Sequence, residues 1–168
     1  MTNTIYKLCD ACRSGDIREV KRLLETYPDI DVDACDKDNL TPLLYAVLKE
    51  EYEIVQLLLE HGADIYISYN DDTSEPEYTP FMDALVNDLP DMIKLFIEYY
   101  KNFDYDCLDK IAMFNCYEVF PLLFTKHYYT TEQMQKALKK IKSSDTLLHY
   151  IECYCPEMMN MQDIFYII

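Results

Sequence analysis

The chain has two Gly, no Trp and three His residues among 168. With so few glycines it lacks the Gly-rich loop that cradles phosphates in nucleotide-binding proteins. The histidines, His61, His127 and His149, are scattered, and none lies beside a Ser or Cys in a nucleophile motif. Nothing in the sequence pairs carboxylates in a cleft. We therefore expect no enzymatic activity and no cofactor.

Long apolar runs are also lacking. No window approaches the roughly 20 unbroken apolar residues that a membrane-spanning helix needs. Residues 1–6 lack the apolar core of a signal peptide. We expect a cytoplasmic location, with the nucleus as the alternative, and no membrane partner. Seven Cys residues in such a compartment are expected to stay reduced.

Basic residues are scarce, since 15 Lys and Arg face 31 Asp and Glu, for a net charge of −16. Five Asp residues fall within positions 29–38, and a second acidic cluster spans 71–77. This field repels nucleic acid, so no nucleic-acid partner is expected. It would steer a protein with a basic surface or segment toward the acidic clusters. The alternative is an acidic surface that only maintains solubility.

The segment 36–68 predicts a helical hairpin. Thr41 can cap a helix whose first residue is Pro42. Apolar residues then recur at helical spacing in 43–48 and again in 54–59, and a charged stretch separates the two. Gly62 lies where the second helix needs a left-handed residue to end. Asn39 is expected to take the left-handed position in the preceding turn.

This pattern recurs along the chain. Leu8, Leu43 and Phe81 are equivalent anchors, separated by 35 and 38 residues. An acidic, turn-rich insertion at 69–77 accounts for the longer interval.

The second unit, DKDNLTPLLYAVLKEEYEIVQLLLEHGADIYIS, resembles one ankyrin repeat, whose signature is T-P-L-H-x-A followed by two antiparallel helices. The resemblance implies an all-α solenoid of four to five helical hairpins in a single domain. The predicted repeats are 4–35, 36–68, 76–103, 104–129 and 130–156, with a C-terminal cap at 157–168. Cys9, Leu44 and Met82 depart from the family pattern at its His, and Glu50 departs at its Gly; we expect both departures to weaken the stack locally.

The resemblance implies a protein–protein interaction module, because stacked repeats present a long surface to partners. In ankyrin proteins the finger turns and the outward ends of the first helices line the concave face. By register, the predicted partner-binding residues are Lys37, Asp38, Leu40, Leu48, Lys49, Tyr78, Val86, Asn87, Tyr105, Met113 and Phe114. The alternative is that neighbouring repeats simply cover the apolar members. Short, divergent ankyrin proteins occur in viruses and intracellular bacteria, which suggests an adaptor or inhibitor of host signalling.

Three other functions remain open. The apolar tail 164–168 could drive self-assembly into a scaffold, and the C-terminal helices could dock a larger complex. Cys9 and Cys12 form a C-x-x-C pair of the kind used for zinc or redox chemistry. A zinc site needs two further ligands, and the candidates near residue 150 lie at the far end of an elongated stack. We therefore expect no metal and interpret both thiols as small buried apolar groups.

Overall fold

The computed structural model describes residues 2–67 and 78–99, together with eight isolated positions between 107 and 122. The chain divides into two compact units, residues 1–101 and 102–168. The predicted insertion at 69–77, most of the fourth repeat, the fifth repeat and the cap lie outside the described residues. Their boundaries therefore stay predictions.

Six helices are present in the described part of the first unit, and they form three consecutive hairpins. They are α1 (Thr2–Ser14), α2 (Ile17–Thr26), α3 (Pro42–Leu48), α4 (Tyr52–Glu60), α5 (Pro80–Val86) and α6 (Pro90–Tyr99). The first helices of the hairpins, α1, α3 and α5, pack in succession and are called the inner helices. The second helices, α2, α4 and α6, form a parallel outer row. The prediction of an all-α stack of helical hairpins is confirmed.

The starts of the inner helices follow from their caps. The Thr41 hydroxyl accepts a hydrogen bond from the Leu44 N–H, and the Thr79 hydroxyl accepts one from the Met82 N–H, both at 3.1 Å. Pro42 follows directly at the first helical position, as predicted. Such a cap stabilises a helix by about 1 kcal/mol, which matters because α3 and α5 have only seven residues each.

The core lies between the two rows of helices. Leu23, Leu58 and Phe96 occupy equivalent positions on the outer helices, and all are almost fully buried. Phe81, from the inner helix α5, is also fully buried, and its ring centroid lies 6.4 Å from that of Phe96. Each hairpin thus buries an apolar face that it could not cover by itself.

Polar contacts connect consecutive repeats. The Asp33 carboxylate accepts a hydrogen bond from the Asp64 N–H at 2.9 Å, which joins two equivalent loops. The Cys9 thiol donates to the Leu40 carbonyl at 3.8 Å. Cys9 stands at the position of the family's usual His, so the thiol keeps one contact between neighbouring turns. Leu44, at the same position in the next repeat, is buried and has no polar side-chain atom to make such a contact.

The turn between the two helices of each hairpin contains one left-handed residue. These equivalent residues are Gly15 (φ 72°), Glu50 (φ 55°) and Asp88 (φ 53°). A left-handed backbone costs an L-amino acid roughly 1–2 kcal/mol, whereas Gly adopts it freely. The second hairpin therefore carries backbone strain at Glu50 that the first avoids with Gly15.

Replacing Glu50 by Gly is expected to raise the free energy of unfolding by about 1 kcal/mol, because relief of strain exceeds the added entropy of the unfolded chain. Urea denaturation measures the change. Gly15→Ala is the matched reverse substitution and should lower stability, since the new Cβ would also meet the Glu51 carboxylate. Unchanged or lower stability of Glu50→Gly would show that Glu50 is not strained.

Candidate partner-binding surface

The C-terminal ends of α3 and α5 leave apolar side chains uncovered. Leu48 is 43% exposed and Val86 is 57% exposed, and they occupy equivalent positions in consecutive repeats. Lys49 and Asn87, the residues that directly follow α3 and α5, are exposed as well. We call these four residues the inner stripe. The structure thus brings four of the predicted partner-binding residues together on adjacent inner helices.

The finger before α3 is a closed turn. The Asp36 carboxylate accepts hydrogen bonds from the N–H groups of Asp38 and Leu40, at 2.8 and 3.3 Å. Asn39 has φ 58°, which confirms the left-handed residue predicted there. Lys37 and Asp38 are exposed at the tip, whereas Leu40 is partly buried. Leu48 and Val86 therefore offer more apolar surface than Leu40 does.

Tyr45 ties this finger to the inner helix. Its hydroxyl donates a hydrogen bond to the second oxygen of the Asp36 carboxylate at 2.9 Å. Burial and this carboxylate raise the pKa of Tyr45, so the phenol stays protonated and keeps donating. The Arg13 guanidinium lies 5.6 Å from the centre of the Tyr45 ring, within range of a cation–π interaction. Tyr45 thus holds the finger against α3, and Arg13 of α1 contacts the same ring.

The third repeat also contains a hydrogen-bonded Tyr–Asp pair, but here the Asp lies on the inner helix and the Tyr lies in the segment before it. Asp83 occupies the position of Tyr45, is 2% exposed, and accepts a 2.6 Å hydrogen bond from the Tyr78 hydroxyl. This hydrogen bond is the main cause, and burial the second, that raises the pKa of Tyr78 to about 12. Tyr78, predicted only as an apolar contact, therefore also satisfies a buried carboxylate. The sequence contains one signal for this bond: an acidic residue stands at an inner-helix position, five residues after a Tyr.

Replacing Tyr78 by Phe is expected to destabilise the fold by about 1–3 kcal/mol at neutral pH, because the Asp83 carboxylate loses its donor. The folded-state pKa of Tyr78 lies above the ordinary value of 10.0, so its contribution is complete below pH 10 and is lost as pH rises through about 12. The difference in unfolding free energy between wild type and Tyr78→Phe should therefore shrink over that window. A difference that is constant from pH 8 to 12 would contradict the assigned bond.

Three predicted partner-binding residues belong to the second unit. Met113 is 71% exposed and Phe114 is partly exposed. Tyr105 lies outside the described residues. The assignment of these three residues to a binding surface stays a prediction.

The C-x-x-C pair of α1 is part of the core. Cys9 and Cys12 are both buried. Burial, reinforced by nearby carboxylates, raises the pKa of Cys9 to about 12, and burial also raises the pKa of Cys12. A neutral thiol is a poor nucleophile and a poor metal ligand. Among the described residues, no group of three or more His, Cys, Asp or Glu side chains could hold a metal ion.

Comparison with known proteins relates the first two repeats of this stack to a family. A family model described as "Ankyrin repeats (3 copies)" matches residues 6–69. The BTB/POZ domain-containing protein 3 of Schizosaccharomyces pombe is 39% identical over 62 residues, which cover 37% of this chain and 12% of that protein. The ankyrin repeat-containing protein YIL001W of Saccharomyces cerevisiae is 38% identical over 63 residues, 38% of this chain and 12% of that protein. The putative ankyrin repeat protein YahD of Escherichia coli is 35% identical over 78 residues, 46% of this chain and 35% of that protein.

Residues 6–69 thus match the ankyrin-repeat family, in agreement with the resemblance of the second repeat. The matched segments span about an eighth of the first two relatives and about a third of the third. The hairpin of α5 and α6 lies beyond the region that the family model matches and continues the same stack. Ankyrin repeats generally mediate protein–protein interaction and are typically non-enzymatic. No helix in the described part of the chain is long and apolar enough to cross a membrane.

Proposed function

We propose that this protein is a non-enzymatic adaptor or inhibitor that binds a partner protein through the concave face of its repeat stack. One observation carries the proposal: Leu48 and Val86 are exposed at equivalent positions on neighbouring inner helices. Two adjacent apolar side chains in register, flanked by polar neighbours, make suitable anchors for a partner.

The finger supports a fixed binding geometry. The bonds from Tyr45 and from the backbone to Asp36 hold the finger against the inner helix before any partner arrives. A surface that is already ordered loses less conformational entropy on binding, which favours affinity. The exposed tip of the finger, Lys37 and Asp38, would then form the polar rim of the contact.

The charge distribution supports a basic partner. Asp36 and Asp38 lie in the finger, and the loop before it adds three further Asp residues, in a chain of net charge −16. Such a field accelerates encounter with a basic segment and suppresses binding of acidic ones. In this proposal the inner stripe supplies the apolar anchor and the fingers select for positive charge. The cytoplasm, including that of a host cell whose signalling proteins the module would engage, is the proposed location.

Amide hydrogen exchange on the complex with a partner captured from cell lysate tests the proposal. We expect binding to protect the finger at 36–40 and the ends of α3 and α5, because these segments carry the proposed contacts. Protection restricted to the outer helices α2 and α4 would contradict a concave-face module. Light scattering that shows concentration-dependent self-association without any partner would instead favour the scaffold alternative.

A further inference from the structure

The loop after α2 is two residues longer than the equivalent loop after α4. Leu24 and Leu59 are equivalent buried residues of the two helices, and Val32 and Ile65 are equivalent buried residues after them, each following an Asp that accepts a hydrogen bond from the N–H two residues on. Seven residues lie between Leu24 and Val32, and five lie between Leu59 and Ile65. The loop is ordered by its own hydrogen bonds, since the Ile30 N–H donates to the Tyr27 carbonyl at 3.0 Å.

This loop forms one wall of an open groove beside the start of α1. The groove has a volume of about 600 Å³, within the usual range of ligand-binding pockets. Ile5, Ile30 and Ala34 contribute apolar surface, and the Tyr27 ring, 46% exposed, lines it as well. None of the four residues of the inner stripe lines the groove, so it is separate from the surface proposed above.

The charged groups that line the groove are all acidic. Asp29 and Asp31 are exposed there, and no Lys, Arg or His lines it. Asp31 uses one carboxylate oxygen to accept a hydrogen bond from the Asp33 N–H at 3.1 Å. Asp29 has no hydrogen bond or ion pair within the described part of the chain. An apolar cleft with an unengaged carboxylate at its rim suits a ligand that is apolar and positively charged together.

We propose that this groove is a second binding site, which takes a peptide segment of a protein carrying a bulky apolar side chain next to Arg or Lys. The apolar side chain enters the groove against Ile5, Ile30 and Ala34. The cationic side chain pairs with Asp29 at the rim. The site does not depend on the proposed function of the inner stripe, because it shares no residue with it.

Binding of a fluorescein-labelled peptide, GSRLFRSG, to the intact protein tests the site by fluorescence anisotropy. We expect saturable binding that weakens with salt, while GSELFESG and GSRSSRSG, which lack the positive charge or the apolar side chains, bind at least about tenfold more weakly. In NMR spectra the methyl signals of Ile5, Ile30 and Ala34 should shift during the titration. No saturable binding, equal binding of the three peptides, or shifts confined to other methyl groups would overturn the proposal.

Asp29→Lys is expected to weaken binding of GSRLFRSG by about tenfold, because it reverses the rim charge at a carboxylate with no structural partner. Asp29→Asn serves as the milder substitution if the reversed charge perturbs the fold, and it should weaken binding by a smaller factor. Ala34→Leu should weaken binding by partly filling the groove. Leu48→Glu, on the inner stripe, should leave the affinity unchanged, which separates this site from the proposed concave-face function. Full affinity in both Asp29 variants would refute the assigned rim contact.

Discussion

Replacing Leu48 and Val86 together by Glu is expected to weaken partner binding at least about 100-fold. Both side chains stand at the exposed ends of inner helices, where nothing in the described stack covers them. Truncation of a central interface anchor alone typically costs about 2 kcal/mol or more. A carboxylate in its place must also lose water against the apolar surface that the anchor contacts, which adds to the loss. The dissociation constant, measured by calorimetry with the captured partner, gives the effect.

The double variant Arg18→Gln with Lys21→Gln is the matched control. Both residues are exposed on the outer helix α2, and the two substitutions change the net charge by the same amount as the two new glutamates. Circular dichroism should show unchanged helix content for both double variants, because none of the four side chains is part of the core. An equal loss of affinity in both would assign the effect to overall charge and not to the inner stripe.

Replacing Phe81 by Ala is expected to lower the free energy of unfolding by about 3–5 kcal/mol. Phe81 is fully buried, and its ring contacts Phe96 of its own repeat and Tyr66 of the preceding one, at centroid distances of 6.4 and 5.6 Å. The Phe81 N–H also donates to the Ile65 carbonyl at 3.1 Å. Loss of the ring therefore leaves a cavity at the boundary between two repeats, where the stack depends on contact between neighbours.

Phe81→Leu is the matched control and should cost about 1 kcal/mol, because it keeps most of the apolar volume. Urea denaturation of the three proteins measures both changes. If the two variants were equally stable, packing of the aromatic ring would not be what joins the repeats.

Local rules in the sequence were enough to predict the hairpins. Thr41 and Pro42 start a helix in any context that permits one, because the cap and the fixed proline backbone act within a single turn. Gly62 and Asn39 take left-handed conformations, as predicted from their residue types. In the outer helices, the apolar residues that recur at helical spacing are the ones that form the buried face. This too follows from local sequence, because helical periodicity is a property of consecutive residues.

The polar pairs could not be derived in the same way. Asp83 has no assigned role in the predicted repeat pattern, and its burial and its hydrogen bond with Tyr78 exist only once the segment before α5 has folded against the helix. The contact between Cys9 and the Leu40 carbonyl joins residues 31 positions apart, so it exists only once two repeats have stacked. Residue type alone could not reveal either contact.

The same division applies to the candidate surfaces. The sequence by itself determined the repeat, its helix boundaries and the register that relates Leu48 to Val86, because these depend on interactions within one hairpin. Only the tertiary structure decided that Leu48 and Val86 stay exposed while Leu40 is partly buried, and that the loop at 28–31 forms the wall of a groove. Exposure and cavities depend on which chain segments lie alongside one another, and that is set by the packing of separate repeats.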